Sequence, residues 1–272
     1  VTATGDYVRK SGFTDVSLGL SGGIDSALVA TVAADALGAD HVHVVLMPSR
    51  YSSDHSVVDA EELATNLGIG TLTVPIESAH TALGSELVSS IAGTLTSVAD
   101  ENLQARIRGV MLMSLANTFD WLVLTTGNKS EAAVGYSTLY GDTVGAYAPI
   151  KDVYKTVVYE LVRWRNERDG APVVPVSIVE KAPSAELRPN QRDDDSLPRY
   201  EVLDPLLEAY IEGDRTRVEL VSDGFDADLV EEVVRLVDRA EFKRRQNPPG
   251  VRVTQKGFGR DRRLPLVNRY RG

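Results

Sequence analysis

Val16-Ser17-Leu18-Gly19-Leu20-Ser21-Gly22-Gly23-Ile24-Asp25-Ser26 is the stretch that decides the fold. An apolar, strand-like run (Val16 to Leu20) ends in Ser-Gly-Gly, and an apolar helical run (Ala27 to Leu37) follows. The two glycines let the backbone approach a ligand closely, because no Cβ intervenes. A helix opening there aims its free N–H groups and positive dipole end at the loop, which favours phosphate. Ser21 and Ser26 add hydroxyl donors, and Asp25 is suited to a magnesium ion. A plain glycine turn would explain the glycines alone but not the whole hexapeptide. No Gly-Lys-Ser/Thr follows, so the loop is not of the Walker type.

The same alternation continues outward. Strands are expected at Val16–Leu20, His41–Leu46, Thr71–Ile76 and Trp121–Thr126. Helices are expected at Ser26–Leu37, Ser56–Leu67, Glu77–Ile91 and Asn102–Asn117. Short apolar strands between helices imply an α/β fold with a doubly wound, Rossmann-like parallel sheet and helices on both faces. Such sheets bind ligands at the carboxyl ends of their strands. The Ser-Gly-Gly loop, the Met47-Pro48-Ser49 turn and Thr126-Gly127-Asn128 should therefore converge on one crevice. Further helices are expected at Val153–Arg168, Val202–Ile211 and Asp228–Arg245, forming a helical C-terminal extension. Residues 170–200, with Pro172, Pro175, Pro183, Pro189 and Pro198, read as a long loop. Residues 1–272 are thus expected to form a single domain with a mobile loop at 180–200 and an irregular end from Pro248.

The chain has 272 residues, 43% hydrophobic and 25% charged, which suits a globular protein with a sizeable core. With no cysteine, disulfides, thiolate metal sites and cysteine nucleophiles are excluded. The four histidines form no helical pair and receive no chemical role. Net charge is −10, yet from Arg239 onward eleven Lys or Arg face only Glu241 and Asp261. That basic tail reads as an anion site, a nucleic-acid patch or a surface paired with the acidic body. Its few aromatics (Phe242, Phe258, Tyr270) give little for stacking on single-stranded RNA. The expectation is a cytoplasmic protein with neither a nucleic-acid nor a membrane partner.

Ser-Gly-Gly-x-Asp-Ser resembles the pyrophosphate loop of enzymes that split ATP into AMP and pyrophosphate. Further segments narrow the resemblance. They are Glu101-Asn102-Leu103-Gln104-Ala105-Arg106-Ile107-Arg108 and Thr126-Gly127-Asn128-Lys129-Ser130-Glu131, then Gly135-Tyr136-Ser137-Thr138-Leu139-Tyr140-Gly141-Asp142. Pro149-Ile150-Lys151-Asp152-Val153-Tyr154-Lys155, Pro183-Ser184-Ala185-Glu186-Leu187-Arg188-Pro189 and Lys243-Arg244-Arg245-Gln246 complete the set. In this order they resemble the NAD synthetase family, and most closely the synthetase portion of its glutamine-dependent, two-domain form. The chain begins at Val1, so it reads either as a fragment of such a protein or as a free-standing ammonia user.

The resemblance implies that the nicotinate carboxylate of deamido-NAD attacks the α-phosphate of ATP, and that ammonia then displaces AMP to leave NAD. It implies Mg²⁺ held by Asp25 and Glu131, and ATP contacts from Gly19, Leu20, Ser21, Gly22, Gly23, Ile24, Asp25, Ser26, Thr126, Lys155 and Ser184. Deamido-NAD contacts are implied for Asn102, Arg106, Glu131, Tyr136 and Lys243, and catalytic roles for Asp25, Glu131 and Lys155. A homodimer or higher homo-oligomer and a separate glutaminase domain or subunit are implied as partners. Each residue also has a structural reading. Asn102 suits a helix cap, Glu131 the N3 carboxylate of a cap, Arg106 a helix surface, Tyr136 a core, and Ser184 a turn. Lys155 suits a helix start, and Lys243 is one of three adjacent basic residues. Leu139 and Ala146 depart from the Lys and Asp that the ammonia-dependent bacterial form carries there. The competing readings are a GMP-synthetase-like or tRNA-modifying pyrophosphatase and a non-catalytic adenine nucleotide-binding module.

Overall fold

The computed structural model describes residues 1–168 and 170–266. The chain runs α1 (Thr2–Lys10), β1 (Val16–Gly19), α2 (Ile24–Leu37), β2 (Val42–Leu46), α3 (Asp54–Leu67), β3 (Gly70–Thr73), α4 (Glu77–Ile91), α5 (Ser97–Phe119) and β4 (Leu122–Val123). It continues through α6 (Lys129–Val134), α7 (Lys155–Arg168), α8 (Val176–Glu180), α9 (Tyr200–Ile211), α10 (Arg217–Ser222), α11 (Ala227–Arg239) and α12 (Glu241–Arg244).

The strands form a parallel sheet in the order β3-β2-β1-β4. The chain steps from β1 to β3 in one direction and returns to the far side of β1 through α4 and α5. The reversal opens a crevice at the carboxyl ends of β1 and β4. Alternation along each strand explains the layers. Val16, Leu18, Val44, Leu46 and Leu122 pack with Ala27 and Ala30 of α2, Leu63 of α3, and Val158 and Val162 of α7. Val45 and Val123 pack against Leu112 and Ala116 of α5 on the other face. A third cluster joins Ala133 and Val134 of α6 to α9, α10 and α11. Val230, Val233, Val234 and Val237 are its buried stripe on α11, at the i, i+3, i+4, i+7 spacing of one helical face.

The expected α/β class, parallel sheet and helical extension are present, and several boundaries differ. The third strand ends at Thr73 and not Ile76, because Pro75 brings no N–H to a ladder. The fourth strand is only Leu122–Val123, with one further bridge from Leu124 to Tyr147. Helix α5 begins at Ser97, capped by Thr96, so Asn102 lies inside it and is not its cap. The 170–200 stretch contains α8 and a 3₁₀ turn at Asp193–Asp195. The helix expected over Asp228–Arg245 is divided at Ala240. α1, α6 and α10 were not anticipated. Tyr270 and the last arginines of the basic tail, Arg269 and Arg271, lie outside the described residues.

Candidate functional site

The crevice is built first by the loop between β1 and α2. Gly23 caps α2 without a side-chain acceptor, so the helix's opening N–H groups are not consumed by a cap. The two loop serines face one another, with Ser21 Oγ 3.2 Å from Ser26 Oγ, and Ser26 Oγ donates to the Gly23 carbonyl at 2.9 Å. Gly22 has φ +76°, and a Cβ there would lie 2.2 Å from the Ser56 carbonyl oxygen. Its glycine is therefore required twice, by conformation and by close approach to α3.

Asp25, Glu131 and Lys155 meet at the mouth of this loop. Asp25 extends from the first turn of α2, Glu131 from α6, and Lys155 opens α7. Asn128 and Glu131 form a capping box: the Glu131 N–H donates to Asn128 Oδ1 at 2.9 Å, and the Asn128 N–H to Glu131 Oε2 at 3.3 Å. The cap reading of Glu131 is correct, and it coexists with a place in the site. Asn128 Nδ2 also donates to Asp25 Oδ1 at 2.9 Å. The Lys155 ammonium, 3% exposed, donates to Asp25 and to Glu131 Oε1 at 3.4 Å. Burial, reinforced by the Asp25 charge, pushes the Glu131 carboxyl up to about 8. Burial alone would lower Lys155, but the two carboxylates outweigh it and raise its pKa, so it stays charged.

A segment from Lys181 to Asp195 closes over the opening. Asp193 accepts from Tyr200 OH at 2.9 Å and Tyr136 OH at 3.3 Å, and burial raises its pKa despite Lys155 nearby. Glu186 adopts a left-handed backbone (φ +48°) and seats its carboxylate on the start of α3. There it accepts from Ser56 Oγ at 2.7 Å and Ser53 Oγ at 3.0 Å, and pairs with Lys181 at 3.0 Å. These bonds outweigh burial and hold its carboxyl below the ordinary range. Gln104 of α5 donates to the Leu187 carbonyl at 2.9 Å.

Gly19, Leu20, Ser21, Gly23, Ile24, Asp25, Ser26, Thr126, Glu131, Tyr136, Lys155 and Ser184 all line the crevice, and Gly22 sits between two of them. The Ser184 hydroxyl is also engaged within its own turn, donating to the Gln191 carbonyl at 2.6 Å. Asn102, Arg106 and Lys243 do not line it. They hold the neighbouring 135–143 segment: Asn102 Oδ1 accepts from Thr138, Arg106 donates to the Leu139 carbonyl, and Lys243 donates to the Gly135 and Ser137 carbonyls. Leu139 and Ala146 serve here through their backbone carbonyls, Ala146 accepting from Tyr7 OH. Arg108, Glu186, Lys181 and Asp193 enter the crevice without having been singled out in the sequence. Asp193 belongs to an obvious acidic triplet, and Arg108 lies two positions from Arg106. These were the available signals.

Among the described residues no group of three or more His, Cys, Asp or Glu side chains is placed to cage a metal. Asp25 and Glu131 offer two carboxylates sharing one ammonium. That donor set suits Mg²⁺, which takes one or two carboxylates together with substrate phosphates.

A family model described as NAD synthase matches residues 1–247. The glutamine-dependent NAD(+) synthetase of Rhodobacter capsulatus is 53% identical over 98% of this chain and 50% of its own length. The structure of glutamine-dependent NAD+ synthetase from Acinetobacter baumannii in complex with ADP is 48% identical. It aligns with a TM-score of 0.65 over 98% of this chain and 48% of that one. An NH3-dependent NAD synthetase from Campylobacter jejuni is 29% identical, with a TM-score of 0.69 over 88% of this chain and 90% of that one. The chain spans about half the length of the curated relatives it matches.

Proposed function

This chain belongs to the NAD synthase family, and on that premise we propose that it converts deamido-NAD to NAD, using ATP and ammonia and releasing AMP and pyrophosphate. The observation that carries the reading is the Asp25–Lys155–Glu131 centre set against the open start of α2. A free carboxylate is a poor acyl donor, so it must gain a leaving group. The nicotinate oxygen bonds to the α-phosphorus as the bond to pyrophosphate breaks. Ammonia then bonds to the acyl carbon, AMP departs, and a proton leaves the nitrogen.

The α2 N–H groups, Ser21 and Ser26 hold the departing pyrophosphate with donors fixed in advance. Lys155, kept charged by its carboxylates, offsets charge on the phosphates. Asp25 and Glu131 would hold Mg²⁺, which supplies charge neutralisation across phosphate oxygens. Thr126 and Ser184 border the nucleotide. Tyr136 borders the dinucleotide, and Asn102, Arg106 and Lys243 fix the 135–143 segment that receives it. The 180–200 segment acts as a lid that keeps water from the acyl adenylate.

The partner expectations follow the same reading. Leu83, Leu87 and Ile91 of α4 and Val98 and Val110 of α5 are exposed, a surface that suits a second copy of the chain in a homodimer. No helix among the described residues is long and apolar enough to cross a membrane, which accords with a cytoplasmic enzyme. Lacking cysteine, the chain itself has no thiol to hydrolyse glutamine, so nitrogen reaches it as ammonia, drawn from a glutaminase domain or subunit. The test is an assay with Mg-ATP and deamido-NAD, run with ammonium and with glutamine in parallel. NAD is expected from ammonium alone. Turnover of XMP or a tRNA in place of deamido-NAD would overturn the reading.

A further inference from the structure

The cations of the crevice divide into those the protein neutralises and those it does not. Lys155 is paired with Asp25 and Glu131, and Lys181 with Glu186. Among the described residues Lys151, whose ammonium donates to the Pro248 carbonyl at 2.6 Å, and Arg108 have no such carboxylate, and Arg108 alone of the two carries a planar fork. Its Nε donates to the Met47 carbonyl at 3.0 Å, and among the described residues no carboxylate lies within ion-pair distance of it. Glu186 acts on it from farther away and is itself committed to Ser53, Ser56 and Lys181. Burial pushes the Arg108 pKa down to about 10, the mark of a desolvated cation short of negative charge. An arginine fork set in the wall of a cleft without a carboxylate is suited to a phosphate.

Its place in the fold selects which substrate. Met47 follows β2, next to β1 and the Ser-Gly-Gly loop. Arg106 and Arg108 stand two apart on α5, and on a helix such residues point in opposed directions. Arg106 is exposed and bonded to the Leu139 carbonyl, while Arg108 faces the crevice.

We propose that Arg108 binds the phosphate chain of ATP through its free Nη groups, with Met47 orienting the fork. This rests on the proposed amidation. It adds a nucleotide contact on the β2 side of the cleft, away from the 135–143 segment.

The test compares Arg108→Gln and Arg108→Lys with the parent chain by steady-state kinetics, and by calorimetric binding of a non-hydrolysable ATP analogue. Loss of charge-assisted bonds should raise the ATP KM and the analogue Kd about ten- to a hundredfold. The deamido-NAD KM should stay within about twofold. Arg108→Lys, which keeps the charge but not the fork, should fall between the two, and it is the variant read if Arg108→Gln does not fold. Unchanged analogue binding in a folded variant, or a rise confined to deamido-NAD, would overturn the inference. If the parent chain makes no NAD, the amidation reading fails, and analogue binding still decides the role of Arg108.

Discussion

Replacing Lys155 by Met removes the cation that, among the described residues, Asp25 and Glu131 share, and nearly conserves volume. At 3.4 Å the Lys155–Glu131 attraction alone is about 5 kcal/mol at the effective dielectric that suits such sites. The ammonium, 3% exposed, gives part of this back through desolvation. The net cost of breaking such a pair is about 3–5 kcal/mol, most of it from leaving two carboxylates facing each other. Glu131→Gln alone removes one attraction and one repulsion, so it should cost far less. The double variant should recover about 2 kcal/mol of the Lys155→Met loss. Urea denaturation of the four proteins at about pH 9, above the raised Glu131 value so that both carboxylates are charged, reads the cycle. Turnover of Lys155→Met should also fall by about a hundredfold or more, since the proposed reaction uses its charge at the phosphates. Strict additivity of the two stability changes would refute the shared-cation geometry. So would a Lys155→Met protein as stable as the parent.

Other perturbations test separate parts. Gly22→Ala must place a Cβ against the Ser56 carbonyl at positive φ, so it should cost about 2–4 kcal/mol and raise the ATP KM; an unchanged melting temperature would contradict this. Glu186 has a folded pKa below its unfolded one. Its contribution is therefore present above the unfolded carboxyl value and is lost as pH falls through the folded one. Glu186→Gln should accordingly be less stable than the parent at pH 7, and the two should converge in acid, as thermal melts across pH will show. Lys129 is fully buried among Asp152 at 2.9 Å, Glu212 at 3.0 Å and the Lys256 carbonyl at 2.9 Å. Lys129→Met should cost about 3–5 kcal/mol in urea denaturation, because it strands two acids.

The sheet was legible because its strands are short apolar runs and its first loop carries an unusual hexapeptide. Asp25 was legible through its residue type and its place in the loop after β1, whereas Glu131 was reached through the family resemblance, and the metal role of the pair is a proposal. What escaped was set by tertiary contact. Arg108 and Arg106 look equivalent in sequence, and only the rotation of α5 puts one in the crevice and the other on Leu139. Lys243 reads as one of three basic residues, yet it alone grips the Gly135 and Ser137 carbonyls. The proline-bearing 170–200 stretch carries no periodic signal, and it is held by distant partners: Glu186 on Ser56, Asp193 on Tyr136 and the Leu187 carbonyl on Gln104. α6 is too short for a hydrophobic period and is specified by its Asn128–Glu131 cap.

Adenylation of the nicotinate carboxylate is the central step of the proposed reaction, and isotope transfer reads it directly. Deamido-NAD labelled with ¹⁸O in its carboxylate, incubated with the chain, Mg-ATP and ammonium, should deliver one labelled oxygen to AMP and none to pyrophosphate. Label recovered in pyrophosphate or inorganic phosphate, or NAD formed with unlabelled AMP, would contradict attack at the α-phosphorus in the Asp25–Lys155–Glu131 site.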